Sequence, residues 1–272
     1  MYESYWQLET KPFENTSDVR FYFPGEAHQG ALLKLRYAVE SERGAALLTG
    51  GAGLGKTLLV QALTRQLGER YAPVVRLVFP QMAPDQLLAY LTGRLTGWRG
   101  GENPPVSESL RRLEDALREN VKAGRRAVLV IDEAQHLCEE GTLETVRLLL
   151  NLETAAGPGF TLLLAGQPLL LPTLERMPEL DERLGVKCLL RPFRLEESVA
   201  YVQHRLQAAG ASRPIFDEAA LAAVHRMAHG SPRRINRLCD LALLIGYAEE
   251  RTQIGEAQVT AVAEELTTIA PE

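Results

Sequence analysis

The chain has 272 residues, 46% of them hydrophobic and 24% charged, with a formal net charge of -5. This is ordinary globular composition, enough for one or two domains with a full core, and it excludes disulfide-scaffold, collagen-like and wholly disordered readings. A net negative charge provides no global basic field, so nucleic acid is left only a local contact.

Seven of the seventeen aromatics fall in the first 25 residues: Tyr2, Tyr5, Trp6, Phe13, Phe21, Tyr22 and Phe23. A segment this apolar should pack on the body of the protein, where a ligand base is one surface it could cover. Between Gly25 and Glu42 the residues Ala31, Leu32, Leu35, Ala38 and Val39 recur at helical spacing. Strand and helix patterns then alternate. Ala45 to Thr49 reads as a buried strand, Lys56 to Leu67 as a helix, Pro73 to Phe79 as a strand and Asp85 to Leu95 as a helix. Gly97 to Val106 reads as a loop, and Ser107 as the cap of a helix running to Lys122. A strand over Arg126 to Ile131, a helix over Thr142 to Leu152 and strands over Phe160 to Ala165 and Val186 to Leu190 follow. Unbroken apolar strands between helices predict an α/β unit with a five-stranded parallel sheet covered on both faces.

Past Pro192 only helical periodicity remains, over Glu196 to Ala209, Asp217 to His229, Ser231 to Glu249 and Glu256 to Thr268. The predicted domains are therefore 1–192, α/β with the aromatic segment, and 193–272, helical. Three widely spaced cysteines, Cys138, Cys188 and Cys239, read as small buried hydrophobes in a reducing compartment. No apolar run reaches the ~18 residues of a membrane helix, and the N-terminus lacks the order of a signal peptide; a cytoplasmic protein is expected.

Gly50-Gly51-Ala52-Gly53-Leu54-Gly55-Lys56-Thr57 matches G-x-x-x-x-G-K-[ST], between a strand and a helix as that motif requires. Glycines let backbone N–H groups curl round a phosphate, and the helix N-terminus adds partial positive charge. Lys56, read as an exposed loop lysine, reaches the β- and γ-phosphates, and the Thr57 hydroxyl ligates Mg²⁺. The nucleotide-binding stretch is taken as Gly50 to Leu58. A second motif must accompany the first, and the strand Ala127 to Ile131 runs straight into Asp132 and Glu133. Asp132 would join Thr57 around the Mg²⁺, and Glu133 would polarise an attacking water.

With these motifs the chain resembles an AAA+ ATPase. More narrowly it resembles the ExeA-like (general secretion pathway protein A) branch, related to the TniB-type transposition ATPases. The resemblance rests on Tyr5-Trp6, Lys11-Pro12-Phe13, Phe21-Tyr22-Phe23-Pro24, His28, Leu48-Thr49-Gly50 with the P-loop, Asp132-Glu133-Ala134-Gln135, Ala165-Gly166-Gln167-Pro168 and Gly230-Ser231-Pro232-Arg233 onward to Leu238. It implies a three-layer P-loop NTPase sandwich followed by a small all-α lid, with ATP and Mg²⁺ as cofactors. It makes Gln167 a sensor at the tip of the fourth strand, a turn-capping role being the alternative. It makes Arg183 an arginine finger acting in trans, against Arg176 or a surface salt bridge. Arg233 becomes the lid's phosphate sensor, and its place at a helix start, disfavoured by the dipole, agrees with that. Ser231 can cap that helix, with Pro232 in its first turn.

The resemblance implies a homo-oligomer, ring or filament, that hydrolyses ATP to assemble or remodel an envelope secretion or pilus-type protein complex. Longer members of the branch continue into a membrane helix and a peptidoglycan-binding domain, so for this chain a link to the membrane is expected through a partner. Two other readings stay open: a DNA-associated ATPase for transposition target selection, and an ATP-switched binding module with negligible turnover. From Phe193 onward eight basic face eleven acidic side chains, which limits DNA to Arg233, Arg234 and Arg237. His225 and His229 have metal-ligand spacing, but without a third ligand they read as partners of a helix C-terminus.

Overall fold

A computed structural model describes the chain except residues 17, 100–103, 139–140, 155–156 and 269–272, and leaves out the side chains at 138, 153, 267 and 268. Part of the predicted Gly97 to Val106 loop and the Cys138 side chain thus lie outside the described residues.

The sheet consists of β1 (Ala45–Gly50), β2 (Val74–Leu77), β3 (Ala127–Ile131), β4 (Phe160–Gly166) and β5 (Leu184–Leu190). All its pairings are parallel, in the order β2-β3-β4-β1-β5. The helices are α1 (Tyr2–Trp6), α2 (Glu26–Glu40), α3 (Lys56–Gln66), α4 (Pro84–Thr96), α5 (Val106–Lys122), α6 (Thr142–Leu149), α7 (Leu171–Glu175), α8 (Pro178–Asp181), α9 (Leu195–Ala208), α10 (Glu218–Ala228), α11 (Pro232–Ala248) and α12 (Glu256–Thr268).

Local chemistry departs from the sequence reading in a few places. Ser107 does not cap α5; Pro105 holds the N-cap position, and Ser107 lies inside the first turn. Ser231 does stand at the N-cap of α11 and Pro232 opens the helix, but the Ser231 side chain makes no capping bond. Leu171 to Asp181, where no element is predicted, holds the two short helices α7 and α8, each with proline in its first turn. Pieces of four or five residues are too short to show a period of 3.6.

By contacts the chain divides into two compact units. One comprises Gln29–Ala52 and Leu59–Leu190 and contains the sheet. Every residue of β1, β3 and β4 is buried, because a central parallel strand must be apolar on both faces. Leu47, Leu129, Ile131, Leu162 and Leu164 share one core with Leu87 and Leu91 of α4, Leu113 and Leu117 of α5 and Val146 of α6. The alternate strand residues, among them Leu48, Val130 and Leu163, face the other way and are equally buried. Leu35 and Val39 of α2 and Leu59 and Leu63 of α3 are buried as well. Cys188 on β5 is buried here, and burial pushes its thiol up in pKa.

The other unit comprises Met1–His28, Gly53–Leu58 and Arg191–Glu272. The aromatic N-terminal segment thus groups with the C-terminal helices, whereas the sequence reading assigned it to 1–192. Trp6 is 1% exposed, and its indole N–H donates to the Leu243 carbonyl of α11 at 3.0 Å. Gly246 makes room for it: a Cβ there would lie 2.9 Å from the indole. Arg205 of α9 is also buried, donating to the backbone carbonyls of Pro12 and Glu14 and lying 4.3 Å over the Phe21 ring. Burial holds it below the usual arginine pKa, since desolvation disfavours the charged form. Cys239 is buried among these helices.

Burial lowers the pKa of two histidines of this unit. His28 donates its Nε2 proton to the Leu54 carbonyl at 2.8 Å, the only role open to a nitrogen facing an acceptor. Its Nδ1 is buried without a hydrogen-bond partner among the described residues, and burial lowers its pKa. His204 is lowered chiefly by burial and next by the charge of Arg205. Protons therefore bind the unfolded chain first as pH falls through about 6.5, which favours unfolding. Stability should decrease between pH 7.5 and 5.5, a window above the carboxylate range. His28→Gln, which keeps a donor for Leu54, should flatten that slope in denaturant titrations at the two pH values.

Candidate functional site

Parallel strands present all their carboxyl ends at one edge. Thr49 pairs with Gly166, and Ile131 with Leu164, so the ends of β1, β4 and β3 lie side by side. From that edge leave Gly50-Gly51-Ala52, then Asp132-Glu133 and then Gln167, all within the sheet unit. The sequence could place each residue at a strand tip, but only the strand order makes them neighbours.

Asp132 is 2% exposed and accepts from Arg76 Nη2 on β2 at 2.8 Å, while its other oxygen accepts from the Glu133 N–H at 3.1 Å. Sequence reasoning did not find Arg76. Its partner lies 56 residues away, so no local signal marks it. Glu133 is half-buried, with a left-handed backbone (φ 52°) that turns the chain from β3 into a 3₁₀ turn over Ala134–Cys138. A non-glycine residue is held there at a cost of about 1 kcal/mol or more, a form of strain that clusters at functional sites. Gln135, named in the resemblance but given no role there, is buried; its Nε2 donates to Glu133 Oε2 at 2.6 Å and its Oε1 accepts the Gln167 N–H at 2.9 Å. The Gln167 side chain itself makes no capping bond to the turn that follows, so the turn-capping alternative has no support.

Arg183 is exposed between α8 and β5, and its Nη1 donates to the Leu150 carbonyl at 2.8 Å. The competing Arg176 is exposed and has no side-chain hydrogen bond or ion pair among the described residues. Pocket-forming Arg147 nearby is committed to Glu144 and Glu179.

In the other unit the remaining P-loop residues, Gly53 to Leu58, meet the start of α11. The Arg233 N–H donates to the Gly53 carbonyl at 3.3 Å. Gly53 has φ +77°, and a Cβ on it would fall 2.6 Å from the Arg233 Cβ. Glycine is thus required twice, by conformation and by approach. Gly55 has φ +87°, and a Cβ there would lie 3.4 Å from the His28 ring. Lys56 is 6% exposed, which corrects the reading of an exposed lysine. Gly53, Gly55, Thr57 and Leu58 line a cleft of about 130 Å³ together with Asn15, Thr16, Tyr201, Arg205, Arg233 and Asn236. Its floor is a chain of hydrogen bonds: the Tyr201 hydroxyl donates to Asn236 Oδ1 at 2.8 Å, and Asn236 Nδ2 donates to Asn15 Oδ1 at 2.9 Å. Asn15, Thr16, Tyr201 and Arg205 have no motif of their own, whereas Arg233 and Asn236 lie in the stretch from Gly230 to Leu238 that the sequence singles out.

His225 and His229 do not act together. His225 pairs with the Ser198 hydroxyl at 2.8 Å, and His229 is exposed in a left-handed conformation that ends α10. Among the described residues no helix is long and apolar enough to cross a membrane.

Residues 39–174, half of the chain, match the AAA domain family. The general secretion pathway protein A of Aeromonas hydrophila is 33% identical over 279 residues, covering all of this chain and 50% of that protein. The chain therefore spans half the length of this relative. Among solved structures, the Aeropyrum pernix ORC2 protein in its ADPNP-ADP complexes superposes with a TM-score of 0.73 at 16% identity, over 97% of this chain and 73% of that one. CDC6P from Pyrobaculum aerophilum gives 0.72 at 17%, over 96% and 74%. The RuvB branch migration motor of Thermotoga maritima gives 0.58 at 20%, over 89% and 69%. At these identities the likeness is one of fold, a P-loop NTPase sandwich with helices after it. The P-loop, the acids at the tip of β3 on the same sheet edge and the family match together make this chain a member of the AAA domain family of nucleotide-binding ATPases, similar to general secretion pathway protein A.

Proposed function

We propose that this chain binds ATP with Mg²⁺ and hydrolyses it to ADP and phosphate. The supporting observation is the strand order, which brings the P-loop exit, Asp132-Glu133 and Gln167 to one sheet edge. In this reading backbone N–H groups of Gly51 to Thr57 and the Lys56 ammonium hold the phosphates. Thr57 and Asp132 are hard oxygen donors of the kind Mg²⁺ takes, and they would hold it; the ion supplies charge to the β- and γ-phosphates. Glu133 accepts a proton from the water that attacks the γ-phosphorus, and the bond to the ADP oxygen breaks. Gln167 would orient that water. Arg233, whose backbone sits on Gly53, would reach the phosphates from the lid. The cleft floored by Asn15, Tyr201 and Asn236 would take the base and ribose.

Arg183 is assigned to a neighbouring subunit's nucleotide, making the active unit an oligomer. Similarity to general secretion pathway protein A supports a protein partner in an envelope secretion or pilus-type assembly that hydrolysis builds or remodels. Cytoplasmic location is part of the same proposal.

Glu133→Gln keeps shape but removes the base, so ATP should still bind while turnover falls by about 10²–10⁴-fold. Wild-type turnover in that variant would refute the catalytic assignment. Lys56→Ala should abolish ATP binding and, because Lys56 is buried, also lower the melting temperature, which calorimetry of the two proteins would read.

Gly53→Ala should weaken ATP binding by on the order of tenfold or more, since the new methyl must displace Arg233 or distort a left-handed turn. Unchanged affinity by equilibrium titration would detach Arg233 from the phosphate site.

Mixing tests the shared site. Arg183→Ala offers an intact P-loop and Lys56→Ala an intact finger, so two inactive variants that co-assemble should recover part of the activity. No recovery at any ratio would pass the role to Arg176.

A further inference from the structure

Gln135 lies inside the sheet unit, two residues beyond Glu133, and is 9% exposed. Its carboxamide spans two strand ends. The Gln167 backbone N–H can only donate, so the group facing it at 2.9 Å is the amide oxygen. The amide nitrogen must then face Glu133 Oε2, a carboxylate oxygen that can only accept, at 2.6 Å. Both ends of the side chain are thereby fixed by chemistry, and the amide orientation follows from its partners. An amide offers a donor and an acceptor on one planar group, as this pair of partners requires. Glutamate in its place would set a second carboxylate against Glu133.

The backbone around this amide is shaped to receive it. Glu133 adopts φ 52°, which folds the chain back so that residue 135 can reach the carboxylate of residue 133. Gly166, the last residue of β4, has no side chain, and a Cβ there would lie 3.1 Å from Gln135 Oε1. The strain at Glu133 and the absent side chain at Gly166 both leave room for one contact.

We propose that Gln135 is a positioning residue that clamps the Glu133 carboxylate to the tip of β4, locking the base in its working orientation and coupling it to the strand end that carries Gln167. This rests on the reading of Glu133 as the base. The amide touches no phosphate in this scheme; it acts through Glu133. Movement at the tip of β4 would therefore be transmitted to Glu133 through one side chain and two hydrogen bonds.

The test is a double-mutant cycle on the full chain, with Gln135→Ala, Gln135→Met and Glu133→Gln. Binding is read with a fluorescent ATP analogue, and turnover by single-turnover assay with labelled ATP. Gln135→Ala should leave nucleotide affinity within about twofold and lower kcat by about 10- to 100-fold, the scale of one hydrogen bond to a charged group. Gln135→Met fills the space without either hydrogen bond and should show the same loss, which separates the clamp from packing. In the Glu133→Gln background, adding Gln135→Ala should change turnover by no more than about twofold, because the group it acts through is gone. Turnover within twofold of wild type in Gln135→Ala or Gln135→Met, or losses that multiply in the double variant, would overturn the clamp while leaving Glu133 as the base. Wild-type turnover in Glu133→Gln alone would instead overturn the reading beneath it.

Discussion

A parallel sheet can present several loops at one edge only if its strands all point the same way, and right-handed helical crossovers make that arrangement the accessible one. Here β1 lies between β4 and β5, with β3 next beyond β4. The chain therefore leaves β1 through the glycine loop beside the exits of β4 and β3. Chemistry that needs a phosphate cradle, a carboxylate pair and a polar sensor requires all three within a few ångströms. The strand order meets that requirement on the carboxylate side with buried strands that no solvent-facing substitution can easily move. The strain at Glu133 is tolerable because β3 and the turn over Ala134–Cys138 fix the chain on either side of it.

Most of this fold is legible in the sequence because its elements are long or chemically uniform. The five apolar strands and the longer helices announce themselves by periodicity, and their ends shift by no more than three residues between reading and structure, the most at the end of α6. The P-loop and the Asp132-Glu133 pair are legible for a different reason: each is contiguous, and its chemistry constrains neighbouring residue types. What stays hidden is formed by distant partners. Arg76 reaches Asp132 across two strands, Gln135 meets Gln167 across 32 positions, and Asn15 meets Asn236 across 221. No window of a dozen residues contains such pairs. Lys56 was misread because the motif shows a loop but not how deeply the loop is packed. Ser107 was misread because proline two residues earlier starts the helix first.

The N-terminal segment shows how a polar group can be more demanding than an apolar one. Its aromatics supply buried area, but many arrangements could bury them. Arg205 admits few, because a buried guanidinium needs acceptors, and here they are the Pro12 and Glu14 carbonyls with an aromatic face beneath. These contacts fix the backbone just before Asn15 and Thr16, two residues of the cleft. Position in the cleft thus depends on a buried charge beside it. An uncharged residue at 205 would leave two carbonyls to find other donors.

The same reasoning bears on how an arginine could serve a neighbouring subunit. A finger must be exposed, yet a wholly free arginine loses rotamer entropy when it is finally placed. Arg183 has one N–H fixed to the Leu150 carbonyl and the rest of an exposed guanidinium beyond it. A guanidinium has five N–H donors, so one bond to its own chain orients the fork without using it up. Arg176 lacks any such tether among the described residues, and ordering it would cost more. Held by one edge, Arg183 would lose less entropy if its other edge bound phosphate oxygens. This favours it over Arg176 on grounds independent of any resemblance. The tether also runs to Leu150, the C-cap residue that follows α6, so a shift of that helix would be felt at the guanidinium.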